Sequence, residues 1–165
     1  MDFRFSGLPL EPFKAIFALS DEELLARGMR RYIADSKPGF PCRVTLEDAE
    51  PGEAVILLSY THQPVSTSPY QAQGPIFVRQ AARESYRRMT EIPPVLSGRL
   101  LSLRGYDKDD LIVEAEVVDG ADLPAELSKF FDNNAVTYIH IHYARRGCFA
   151  CRVDHAENRM STIAK

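Results

Sequence analysis

Val136-Thr137-Tyr138-Ile139-His140-Ile141-His142-Tyr143 runs through Ala144-Arg145-Arg146-Gly147 into Cys148-Phe149-Ala150-Cys151-Arg152-Val153. Side chains along a strand alternate between two faces, so Ile139 and Ile141 share one face and His140 and His142 the other. β-Branched and aromatic residues dominate the first arm, which suits a pleated, half-buried surface. Gly147 supplies a turn position that tolerates positive φ. The two arms therefore read as an antiparallel hairpin. A four-residue loop over 144–147 sets Tyr143 against Cys148, His142 against Phe149 and His140 against Cys151. In that register Cys148 joins the isoleucine face and Cys151 the histidine face.

Upstream, Arg99–Tyr106 and Leu111–Val118 read as a second hairpin. A five-residue loop, Asp107–Leu111, sets Leu101 against Val117 and Leu103 against Ala115, so that apolar side chains meet apolar ones. Asp122 and Pro124 open a helix whose Leu123, Leu127, Phe130 and Phe131 form one apolar stripe. Ala54–Tyr60 is a nearly continuous apolar run, the pattern of a central strand covered on both faces. Thr61–Gly74 reads as a long polar loop, Ile76–Val78 as the next strand and Gln80–Met89 as a helix. Phe3 and Phe5 open a strand, and Met29–Ala34 and Cys42–Leu46 are further short strands. Ser20-Asp21-Glu22-Glu23 is a capping box, starting a short helix that Gly28 ends. Lys37-Pro38-Gly39-Phe40-Pro41 is a rigid turn. Strands in runs with hairpin-length links predict an α+β fold: a mostly antiparallel sheet of about seven strands with three or four helices packed on it. One domain is expected over 1–154, with a polar tail over 155–165.

Composition narrows the function classes. The 165 residues are 45 % hydrophobic and 26 % charged, enough for a core without disulfide or metal staples. A net charge of -3 argues against nucleic-acid binding by bulk charge. No apolar run approaches the roughly 20 residues of a bilayer span, so no membrane partner is expected. Met1–Phe13 carries Asp2, Arg4 and Glu11 and lacks the apolar block of a signal peptide. Three cysteines and no Asn-x-Ser/Thr acceptor predict a cytoplasmic protein. Charge is uneven: residues 79–104 hold six arginines and two acids, and residues 107–126 hold eight acids and one lysine. Such segregation reads as two solvated surfaces of opposite sign or, in the sharper reading, as a weak homo-oligomer, basic face to acidic face.

The chemistry-bearing residues are His62, His140, His142, Arg145, Arg146 and Arg152. The strand carrying His140 and His142 runs into the arginine pair. His62 follows the other apolar strand, on the face of Ile56, Leu58 and Tyr60. If the ends of those two strands lie together, these residues line one pocket, with Tyr138 and Phe149 as apolar walls. Guanidinium forks match carboxylate and phosphate, and a histidine near neutral pKa moves protons. The expected partner is a small anionic ligand, with catalysis left open. Imidazole and thiolate are zinc ligands, but alternation aims Cys148 and Cys151 to opposite faces, so no metal is expected. Cys148 follows Gly147 and precedes a β-like run, unlike a thioredoxin-type cysteine at a helix N-terminus. No G-x-G-x-x-G, Walker loop, H-E-x-x-H or G-x-S-x-G occurs, so no cofactor is expected. The alternative function is a non-catalytic interaction or structural module that uses its charge-segregated faces.

The segments KPGFPCRVTLEDAEPGE (37–53), YTHQP, SPYQAQGPIFVR and HIHYARRGCFACR resemble a bacterial family of small proteins, the domain of unknown function numbered twelve hundred and three. The resemblance runs from Phe3 to about Asp154. It implies a stand-alone bacterial domain and no particular activity. His140, His142, Arg145, Gly147 and Cys148 fall on the shared pattern, whereas the family often has Ala at the position of Cys151.

Overall fold

Both expected hairpins form, and they pair with each other to make the middle of a sheet. The computed structural model describes residues 3–156. In chain order the elements are β1 (Phe3–Ser6), α1 (Glu11–Phe17), α2 (Asp21–Ala26), β2 (Arg30–Ile33), β3 (Ala54–Gln63), β4 (Ala72–Arg79), β5 (Arg87–Met89), α3 (Pro94–Ser97), β6 (Leu100–Tyr106), β7 (Ile112–Asp119), α4 (Leu123–Asp132), β8 (Tyr138–Tyr143) and β9 (Phe149–His155). The fold is α+β with a mostly antiparallel sheet, but the strands divide between two sheets. A six-stranded sheet has the order β5-β1-β9-β8-β6-β7, and a three-stranded sheet the order β2-β3-β4. His155, where the tail was expected to begin, closes β9 opposite Phe3. The rest of that tail lies outside the described residues.

Alternation builds the core. Ile139 and Ile141 of β8, Leu101 and Leu103 of β6 and Phe3 and Phe5 of β1 face one way. They pack on Val95 and Leu96 of α3 and on Leu123, Leu127, Phe130 and Phe131 of α4. The apolar stripe of α4 is therefore its buried side, as its spacing demands. A second cluster joins Ile56, Leu58, Ile76 and Val78 of the small sheet to α1, α2 and Phe149 of β9. Phe149 thus ties the histidine side of the large sheet to the small sheet. The capping box is complete: Ser20 N donates to Glu23 Oε2 at 2.7 Å and Glu23 N to Ser20 Oγ at 3.2 Å. Gly28 ends that helix at φ 72°.

Several local expectations are corrected. Cys42–Leu46 is a buried turn, closed by Leu46 N donating to Cys42 O at 3.1 Å, with isolated bridges Pro41–Asp48 and Cys42–Phe77 beside it. β3 continues to Gln63 and β4 begins at Ala72, so the polar loop shrinks to 64–71. Gln80–Met89 is not a helix. Tyr86 exchanges backbone bonds with Val44 (2.8 Å) and Gly7 (2.9 Å), and 87–89 pairs with β1, so tertiary pairing overrides the helical spacing. In the β6–β7 hairpin only Tyr106–Ile112 keeps the expected register; a bulge then sets Leu103 against Glu116 and Leu101 against Val118. β7 is an edge strand with Val117 54 % exposed, so matching apolar faces did not constrain it. The β8–β9 hairpin keeps His142 opposite Phe149, but a bulge then places Cys151 opposite Ile141 and Arg152 opposite His140. Cys148 and Cys151 consequently both lie in the isoleucine core.

Candidate functional site

β3 and β8 belong to different sheets, yet their ends meet. His62 is the extra residue of a bulge, between the pairs Thr61–Gln73 and Gln63–Ala72. A bulge re-aims side chains, and here both His62 and Gln63 reach the large sheet. The His62 ring centroid lies 5.0 Å from that of His142 and 6.3 Å from that of His140. His140 and His142 are 6.4 Å apart. Phe149 stacks on His62 at 5.3 Å and meets His140 and His142 edge-on at 5.1 and 5.7 Å. Tyr106 and Tyr138 close the other side of His140, at 4.9 and 5.2 Å. The expected meeting of His62, His140 and His142 with Tyr138 and Phe149 is present.

Hydrogen bonding fixes one ring. His142 Nδ1 is 3.0 Å from the Gly147 carbonyl, which only accepts, so Nδ1 carries the hydrogen. His142 Nε2, His140 Nδ1 and His62 Nδ1 are buried without a partner. His142 is 0 % exposed and His140 4 %. Burial pushes the pKa of His140 down to about 2, and His142, Arg152, His62 and Arg104 add to that effect. Burial likewise lowers His142 to about 3; the Gly147 bond opposes, while Arg104, His62 and Arg43 reinforce. His62 is lowered by burial and by Arg104, against a backbone contact with Tyr60. Three neutral imidazoles are thus held together at physiological pH.

The cations around them are not all those expected. Arg152 is present: it lies 3.9 Å from the Tyr138 ring centroid and donates to Asp154 at 2.9 and 2.8 Å. Arg145 and Arg146 are exposed in the turn after β8. Arg104 acts on all three histidines. It stands directly opposite His140 across the β6–β8 pair. It is half-buried and makes no hydrogen bond or ion pair to any described residue. Its alternation with Leu101 and Leu103 put it on the polar face of β6, but only the strand order reveals that β6 adjoins β8.

The surroundings of the cluster are pinned. Gln63 Nε2 donates to Tyr138 Oη at 2.8 Å, and Tyr138 Oη donates to Asp110 Oδ1 at 2.5 Å. Ser68 Oγ donates to the Asp110 carbonyl at 2.7 Å, which ties loop 64–71 to the β6–β7 turn. Behind Phe149 lies Arg43, 2 % exposed. It donates to the carbonyls of Phe149 (2.8 Å) and Pro41, and Nη2 meets Cys148 Sγ at 3.1 Å. Among the described residues no group of three or more His, Cys, Asp and Glu has the geometry to hold a metal ion. No described helix is long and apolar enough to cross a membrane.

Residues 39–155 match the family described as Protein of unknown function (DUF1203). The chain belongs to this family. The matched span contains all three clustered histidines, Arg104, Arg152 and the Gln63–Tyr138–Asp110 network, so the DUF1203 region carries the whole candidate site. No curated protein and no solved structure matches this DUF1203 chain.

Proposed function

We propose that this protein binds a small anionic ligand at the cluster of His62, His140 and His142. The observation that carries this reading is the half-buried, unpaired Arg104 guanidinium, opposite His140, together with three buried ring nitrogens of the cluster that lack partners. An unmade buried hydrogen bond costs about 1–3 kcal/mol, and a fold that gathers three of them at one place calls for an occupant. Arg104 supplies the contact charge, and Arg152 adds field from the opposite side of His140. Arg145 and Arg146, exposed at the end of the same strand, attract the anion from a distance rather than touch it. Neutral imidazole offers the ligand a hydrogen-bond acceptor, whereas His140 and His142, which resist protonation this strongly, are poor general bases, so the reading is one of binding.

A thermal-shift panel of small carboxylates and phosphates tests the reading. At least one anion raises Tm in the native protein, because a ligand that binds only the folded state stabilises it. Arg104→Met abolishes the rise while leaving the unliganded Tm nearly unchanged. A panel that shifts nothing contradicts the proposal. We place the protein in the bacterial cytoplasm: Cys42, Cys148 and Cys151 are all free and buried, which suits a reducing compartment.

One observation favours a second reading, an interaction module. β5, with exposed Arg87 and Arg88, is one edge of the large sheet; β7, with Glu114, Glu116 and Asp119, is the other. Opposite edges of opposite charge suit weak head-to-tail contact between copies.

A further inference from the structure

We infer that the anion held here is an oxyanion that keeps a hydroxyl of its own, of the hydrogen-phosphate type, and that His142 Nε2 accepts that hydroxyl's hydrogen bond. This rests on the anion-binding reading and specifies which anions qualify. The step comes from the His142 tautomer. Gly147 O accepts at 3.0 Å, and a carbonyl cannot donate, so the ring hydrogen is fixed on Nδ1. Nε2 then presents a bare lone pair, buried and without a partner. An oxyanion made only of acceptor oxygens meets that lone pair with repulsion. An oxyanion carrying one O–H meets it with a hydrogen bond and offers its remaining oxygens to Arg104.

Protonating His142 would remove this discrimination, and its surroundings oppose that. Arg104 approaches from β6, His62 from β3 and Arg43 from the turn after the 37–41 segment, while His140 shares its own strand. The Gly147 carbonyl favours the cation, and burial outweighs it. The site therefore reads the protonation of its ligand rather than supplying a proton to it. Inorganic phosphate near neutral pH retains a P–OH, whereas sulfate, of similar size and charge, has none. A buried polar group left facing the wrong partner is the strongest discriminator a site has.

The test is isothermal titration of the native protein with inorganic phosphate and, separately, with sulfate at neutral pH and equal ionic strength. Phosphate binds at least about tenfold more tightly than sulfate. Equal affinity for both anions, abolished by Arg104→Met, overturns the hydroxyl requirement and leaves the anion site standing. Binding of neither overturns the hydroxyl-bearing oxyanion, and the anion site then stands or falls on the carboxylates of the thermal-shift panel. The comparison needs no histidine variant, so a variant that fails to fold does not blunt it.

Discussion

His142 is fully buried, with one ring nitrogen bonded and the other bare. That combination sets what its replacements do. His142→Ala leaves a cavity in a packed aromatic cluster and costs about 2–4 kcal/mol, comparable with Ile141→Ala on the core face. His142→Phe fills the space and removes the unpaired nitrogen along with the Gly147 bond. Its stability stays within about 1 kcal/mol of the parent, while anion binding is lost. Urea denaturation paired with anion titration checks the two outcomes. Acid dependence follows from the same burial. In the unfolded chain His140 and His142 titrate near 6.5; folded, they titrate near 2 and 3. Above about pH 6.5 both states hold the same protons. Below it the unfolded chain takes up protons that the folded chain refuses, so stability falls by about 1.4 kcal/mol per pH unit for each ring. That loss continues until the folded rings protonate, near pH 3 for His142 and near pH 2 for His140. His140→Phe has a shallower fall between about pH 6.5 and about pH 5, read from urea midpoints, than the parent.

At the scale of elements, β1 must pass close to the turn after residues 37–41. A Cβ on Gly7 would lie 2.1 Å from the Val44 carbonyl oxygen, and the flanking backbone bonds Leu8 N to Arg43 O and Gly7 N to Tyr86 O hold that approach. Gly7→Ala therefore destabilises by at least about 2 kcal/mol. Gly98→Ala, where nothing lies within 4 Å of the new methyl, changes stability little. Thermal melts of the two variants make the comparison. Elements whose signal is local were legible in the sequence: the Ser20–Glu23 cap, the stripe of α4, the alternation of β8. Elements set by a distant partner were not. Gln80–Met89 carries helical spacing yet takes its backbone partners from Val44, Gly7 and β1. Bulges were invisible for the same reason. One at Ala150 moved Cys151 from the histidine face to the core, and one at His62 turned two consecutive side chains toward β8. The histidine trio was foreseen because His62 keeps parity with Ile56 and Leu58. Arg104 was missed because nothing local says that β6 lies beside β8.

For the whole molecule, charge segregation along the chain becomes opposite edges of one sheet. Much of the basic segment is already paired internally: Arg79 with Glu47 and Glu53, Arg88 with Glu91 and Arg99 with Asp48. On the interaction reading, association between copies is weak, because exposed charges are screened over about 8 Å at physiological salt. Light scattering at high protein concentration gives a mean mass that falls as salt is raised; a mass independent of salt and concentration removes the interaction reading. The central claim is local to one end of the sheet pair, where the two cores meet through Phe149. The sequence contains four histidines, of which His155 lies at the far end of β9 against Phe131. Long-range proton–nitrogen NMR of the imidazoles during a phosphate titration reads all four at once. The ring signals of His62, His140 and His142 are expected to move together and saturate, with His142 remaining the neutral Nδ1–H tautomer, while His155 stays in place. Signals of the three that do not move, or that move no more than His155, contradict it.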